Sequence, residues 1–131
     1  IGKALKLREG KDATIIATGT MVEPAMVAAE TLAQQGINVR VLDMHTIKPI
    51  DKAAIIAAAK DTGAIVTAEE HSIYGGLGSI VSFVLAENYP CKLKMVAIKD
   101  VFGESGTADQ LLKKYGLTAN DIVKAVKAAL K

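Results

Sequence analysis

Apolar positions along this chain recur in two rhythms. Ala13–Ala17, Val39–Leu42, Ala64–Ala68 and Lys94–Ile98 are short, mostly apolar runs. They fit strands covered on both faces. Between and after them the period lengthens to that of a helix. Val22, Ala25, Met26, Ala29, Leu32 and Ala33 form one stripe, and Leu77, Ile80, Val81, Val84 and Leu85 a second. Ile122, Val123, Val126 and Leu130 form the inward face expected of a last helix. A weakly alternating segment, Ala4–Arg8, precedes them all. It predicts a short edge strand entering a hairpin through the Glu9-Gly10-Lys11-Asp12 turn. Strands alternating with helices imply a mostly parallel sheet with helices on both faces, a three-layer α/β/α domain.

Punctuation supports these elements. Gly19 opens a loop, and Thr20-Met21-Val22-Glu23 has the spacing of a capping box, with Pro24 tolerable in the first turn. Gly36 stands where a left-handed C-terminal cap belongs. Met44–Pro49 reads as a loop carrying His45; Asp51 caps the second helix, Ile50 packs on Ile55, and Gly63 stops that helix. Pro90 ends the third helix. Lys99–Gly106 reads as a polar loop, and Thr107-Ala108-Asp109-Gln110 as the start of a short helix ended by Gly116. Thr118–Asp121 begins the last helix, whose C-terminal half carries Lys124, Lys127 and Lys131, the favourable end for positive charge.

Composition narrows the picture without changing it. The 131 residues suffice for one domain spanning 1–131, and 50% hydrophobic content excludes a disordered chain. A net charge of +2 is too small to imply nucleic acid or an anionic membrane as partner. One cysteine, Cys91, excludes an internal disulfide and fits a reducing, cytoplasmic compartment. No apolar run approaches the roughly 20 residues that span a bilayer. The chain begins at Ile1 without Met and reads as a fragment of a longer protein.

Candidate chemistry concentrates in Ala64–Val84. A strand leads to Glu69, Glu70 and His71, then Gly75, Gly76 and Gly78 permit a tight turn into a helix. Sites in open α/β sheets lie outside the carboxyl ends of strands. Across the strand switch, the Gly19–Thr20 loop should be the neighbour of this tip. His45, Glu69, Glu70 and His71 are the clustered candidates for a metal. Alternation sends Glu69 and His71 to one side and Glu70 to the other, so they do not converge on one ion. Gly76-Leu77-Gly78 supplies two glycines of a dinucleotide fingerprint, with Val81 where the third should stand. No Walker A sequence is present, and Ser72 and Ser79 sit in no nucleophile elbow. Two readings of the tip stay open. Its charges satisfy backbone N–H groups of the next helix, or they meet a ligand or partner domain at the sheet edge. A small anion at Glu70–Gly78 is the ligand that a helix N-terminus would favour. Gly76 and Gly78 are expected to be structural.

Several of these motifs together resemble the C-terminal domain of transketolases. They are Thr67-Ala68-Glu69-Glu70-His71 with Gly75-Gly76-Leu77-Gly78-Ser79, Gly19-Thr20-Met21, Lys48-Pro49-Ile50-Asp51, Phe102-Gly103-Glu104-Ser105-Gly106, and Leu111-Leu112 with Tyr115-Gly116-Leu117. The pattern is most similar to the C-terminal subunit of split transketolases. Deoxyxylulose-phosphate synthases and 2-oxo acid dehydrogenase β subunits share the domain, and Gly103–Gly106 favours transketolase. The resemblance implies a mostly parallel five-stranded sheet with one antiparallel edge strand. It implies two-carbon ketol transfer between sugar phosphates, as in the pentose phosphate pathway, with thiamine diphosphate and a divalent metal (magnesium) bound by other domains. It also implies partnership with N-terminal and pyrimidine-binding domains or a subunit carrying them, in a homodimeric assembly. This chain has no Gly-Asp-Gly motif, so no catalytic, cofactor-binding or metal-binding residue is carried over to it. Gly19, Thr20, Glu69, Glu70, His71, Gly76 and Gly78 remain as an interface or ligand edge.

Overall fold

The structure, a computed structural model, describes residues 2–72, 76–98 and 117–131. β1 (Leu5–Arg8) and β2 (Ala13–Ala17) lead through a 3-10 turn at Gly19–Met21 into α1 (Val22–Gln34). β3 (Val39–Asp43), α2 (Lys52–Thr62), β4 (Ala64–Ser72), α3 (Leu77–Asn88), β5 (Lys92–Ile98) and α4 (Ala119–Ala129) follow. The loop expected at Lys99–Gly106 and the helix expected from Thr107 to Gly116 lie outside the described residues.

The sheet has five strands in the order β1-β3-β2-β4-β5. β1 is antiparallel to β3, and the other pairings are parallel. This is the mixed sheet expected, with its antiparallel strand at one edge. Side-chain alternation sets the layers. Ala13, Ile15 and Ala17 of β2 and Ala64, Val66 and Ala68 of β4 point to one face, where Ala25, Ala29 and Leu32 of α1 meet Ile122 and Val126 of α4. Ile16, Leu42 and Ile65 point to the other, against Ile55 of α2 and Leu77, Val81 and Leu85 of α3.

Three expectations need correction. β1 forms no hairpin with β2, because β3 lies between them. The Glu9–Asp12 turn instead crosses the start of β3. A Cβ added at Gly10 would lie 2.2 Å from the Val39 carbonyl carbon and 2.6 Å from the Arg40 nitrogen. Asp12 fastens the crossing: its amide donates to Asn38 O at 2.9 Å, and Asn38 N donates to its carboxylate at 2.6 Å. The Thr20 capping box does not form. Gly19, at φ +60°, starts the 3-10 turn early, so buried Met21 occupies the N-cap position of α1 with no side-chain cap. Leu130 faces outward, 42% exposed, while Ala129 turns into the core.

Other local signals hold. Gly36 (φ +79°) closes α1, with Gly36 N donating to Ala33 O at 3.0 Å and Ile37 N to Leu32 O at 2.9 Å. Gly63 (φ +73°) closes α2. Asp51 caps α2 through Ala54 N at 3.1 Å and also accepts from Ala4 N at 2.8 Å, tying the lead-in of β1 to this helix. Thr118 and Asp121 form a complete capping box on α4.

Candidate functional site

β2 and β4 are neighbours, and the connections leaving them pass to opposite sides of the sheet. Their carboxyl ends therefore form the switch point at which α/β sheets place sites. Thr18 N donates to Ala68 O at 3.2 Å, and Met44 N donates to Ala17 O at 2.8 Å. These bonds bring the Gly19–Thr20 turn, the end of β4 and the segment after β3 together, as the sequence led one to expect. Thr20 and His45 are exposed at this edge.

β4 runs further than expected. The Glu69-Glu70-His71 segment lies inside the strand rather than in a loop beyond it. Past Ala68 it has outrun β2 and pairs with β5 alone, through a register irregularity between Ala68 and Ser72. Alternation then decides the fate of each acid. Glu70 is exposed. Glu69 shares the α3 face with Ile65 and Thr67 and is completely buried. Its two carboxylate oxygens accept from the first two amides of α3, Leu77 N at 2.8 Å and Gly78 N at 2.7 Å. A helix N-terminus has free N–H groups and a positive dipole end. Here the chain supplies its own anion to both.

That geometry corrects two expectations. Glu69 belongs to an internal cap, withdrawn from any contact surface. Two of the amides that a small anion at Glu70–Gly78 would use, Leu77 N and Gly78 N, are already taken by Glu69. Gly76, buried, holds the N-cap position with φ −96° and ψ −159°, extended backbone open to other residues. Gly78 is required by close approach. A Cβ there would sit 2.8 Å from Met95 Sδ and 3.0 Å from Thr67 Oγ1, a buried hydroxyl with no hydrogen-bond partner. His71 follows Glu70 in the strand, and Gly75 lies outside the described residues.

Among the described residues, no group of three or more His, Cys, Asp or Glu side chains is placed to hold a metal. With Leu77 N and Gly78 N of α3 taken by Glu69 and no Gly-Asp-Gly in the sequence, the described residues of this edge do not fit a metal–diphosphate site. Cys91 lies outside this edge, and burial pushes its thiol up, away from the reactive thiolate. An open groove of about 810 Å³ lies at the opposite, amino edge, lined in part by Glu9, Lys11, Arg40 and Asp61. Three of its charges pair with one another: Arg40 bonds Asp61 at 2.9 Å and lies 3.5 Å from Glu9.

Architecture and edge together define an α/β/α domain whose polar switch-point strand is locked to the following helix. The family model for the C-terminal domain of transketolase matches residues 2–122, and the chain belongs to that family. It is 54% identical over 125 residues, 95% of its length, to the 6-deoxy-6-sulfo-D-fructose transketolase subunit of Clostridium sp. (strain MSTE9). It is 48% identical over 132 residues, 100% of its length, to a putative transketolase C-terminal section of Methanocaldococcus jannaschii. It is 42% identical over 97% of its length to the 1-deoxy-D-xylulose-5-phosphate synthase of Syntrophotalea carbinolica. A solved structure described as a split gene transketolase, inactive β4 tetramer, superposes with a TM-score of 0.96 at 53% identity, covering 98% of this chain and 42% of that one. The chain spans 39%, 41% and 20% of the three curated relatives, in the order given. No helix among the described residues is long and apolar enough to cross a membrane.

Proposed function

We propose that this chain is the C-terminal section of a thiamine-diphosphate-dependent transketolase, contributing assembly rather than chemistry. The complete enzyme moves a two-carbon ketol unit between sugar phosphates in the cytoplasm, as a dimer of catalytic units. Thiamine diphosphate and magnesium are held by the sections that carry the diphosphate and pyrimidine sites. The observation that carries this reading is the match of the transketolase C-terminal domain to residues 2–122, with near-complete similarity to a stretch of transketolase subunits about two and a half times as long. The internal capping of α3 supports it, because the group best placed to bind an anion is used to hold the fold. The exposed part of the carboxyl edge, with Gly19, Thr20 and Glu70, is then the surface that meets the other sections, and His71 is the next residue of that strand.

The test is the assembled enzyme. It should transfer a two-carbon unit from a ketose phosphate to an aldose phosphate only when thiamine diphosphate and magnesium are supplied. Condensation of pyruvate with glyceraldehyde phosphate instead would assign the chain to a synthase like the Syntrophotalea relative. Neither reaction, with both cofactors bound, would overturn the reading.

A further inference from the structure

The Lys48-Pro49-Ile50-Asp51 motif does more than cap a helix. An N-cap needs one oxygen, and Asp51 gives one to Ala54 N at 3.1 Å. Its second oxygen accepts from Ala4 N at 2.8 Å, 47 residues away in sequence. Asp51 is only 8% exposed, so both bonds are shielded from water. Other residues of the motif meet the same lead-in. Ala4 and Ile50 pack, with Ala54, against the apolar cluster between the sheet and α2 and α3. Gly2, at φ +76°, turns onto Pro49: a Cβ added there would lie 3.2 Å from Pro49 Cγ. β1 itself contributes little to holding this segment. It pairs with β3 alone among the described strands, and Leu5, Lys6 and Leu7 are exposed.

Resting on the reading of this chain as the C-terminal section of a longer subunit, we propose that Pro49, Ile50 and Asp51 form a rigid joint. The joint sets the angle at which the preceding section enters the domain, and Asp51 is its positioning residue. Covalent continuity fixes what the joint holds, because a section that precedes this one connects through Gly2. Chain between domains ordinarily runs exposed with few contacts crossing it, and relative motion of the domains is then the default. Here the entering backbone is turned at Gly2, packed at Ala4 and hydrogen-bonded at the Ala4 amide. An amide bonded to a carboxylate is held about twice as strongly as one bonded to a neutral acceptor. Burial strengthens the bond further and makes an unpaired Ala4 amide costly. Because one carboxylate serves Ala4 and Ala54 together, the direction of the incoming chain is referred to the axis of α2.

Spin labels in the complete polypeptide test the joint, one at Val27→Cys on the exposed side of α1 and one in the preceding section, with other cysteines removed. The distribution of distances between them reads the angle directly. With the joint intact it should be a single narrow peak. Asp51→Ser keeps an oxygen for Ala54 N but leaves none for Ala4 N. It should at least double the width of the peak, while lowering the thermal midpoint of this domain less than Asp51→Ala, which loses the cap as well. Gly2→Val lies outside the core and should also broaden the peak, by lifting the lead-in off Pro49. It keeps the test decisive if Asp51→Ser does not fold. An unchanged peak in either folded variant, or a broad one with the joint intact, overturns the proposal. Ketol transfer is scored separately. Activity with a broad peak sinks only the joint, and a narrow peak that these variants broaden, without activity, sinks only the transketolase reading.

Discussion

Glu69 and Glu70 are adjacent and chemically alike, yet their environments are opposite. The buried carboxylate of Glu69 survives because two amides of α3 take both its oxygens. Glu69→Ala would leave those amides buried and unpaired, and should cost about 2–4 kcal/mol. Glu69→Gln keeps one acceptor and should cost less. Urea midpoints equal to the unmodified domain for both would refute the cap. Glu70→Ala removes a solvated charge and should change domain stability by no more than about 0.5 kcal/mol. If its edge meets the other sections, it should weaken their association, read by sedimentation of the full assembly. A period of two showed from sequence that the two acids face opposite ways. It did not show which one turns inward, because the partners of Glu69 lie eight and nine residues later in a helix. Two consecutive acids after an apolar run read as a strand leaving its sheet.

At the scale of elements, local signals were legible and crossings were not. Asp51, Gly36, Gly63 and the Thr118–Asp121 box act within a few residues of themselves, and each does what its type suggests. The Thr20 box failed because burial of Met21 fixes where α1 begins. The hairpin failed because a turn that joins neighbouring strands and one that steps over a third share the same residues. The contact of Gly10 with Val39 and Arg40 and the bonds between Asp12 and Asn38 separate them. Asp51 joins α2 to the lead-in of β1, and its ionisation should be visible in folding. Burial works against its charge, but the amides of Ala4 and Ala54, with Lys3 nearby, hold the carboxyl below its ordinary value of 3.8. A lowered folded-state value means that the stabilisation is fully present above about pH 4 and is lost as pH falls from there through the lowered folded-state value. The stability advantage over Asp51→Ala should be about 1–2 kcal/mol at neutral pH and should shrink on acidification. An advantage that is constant with pH would contradict this. The joint between β4, β5 and α3 rests on the missing side chain at Gly78. Gly78→Val should cost about 1–3 kcal/mol by overpacking against Met95 and Thr67, and adding Met95→Ala should recover part of that loss in the urea midpoint.

At the scale of the whole molecule, α1 and α4 cover one face of the sheet and α2 and α3 the other. The hydrophobic periods made the layers and the mostly parallel sheet readable, but not which helices share a face. The role of the edge was not readable either, because what a surface meets is written partly in chains that these 131 residues do not contain. The polar groups at the switch point divide into one that holds the fold, Glu69, and others left to face outward. The buried carboxylate of Glu69 is spent on a helix end. The most direct measurement is a coupled assay of two-carbon transfer by purified residues 1–131, with saturating thiamine diphosphate and magnesium, before and after adding the sections that carry the cofactor sites. We expect no turnover above a protein-free control for residues 1–131 alone, and transfer once the assembly is complete. Turnover by residues 1–131 alone would contradict the account.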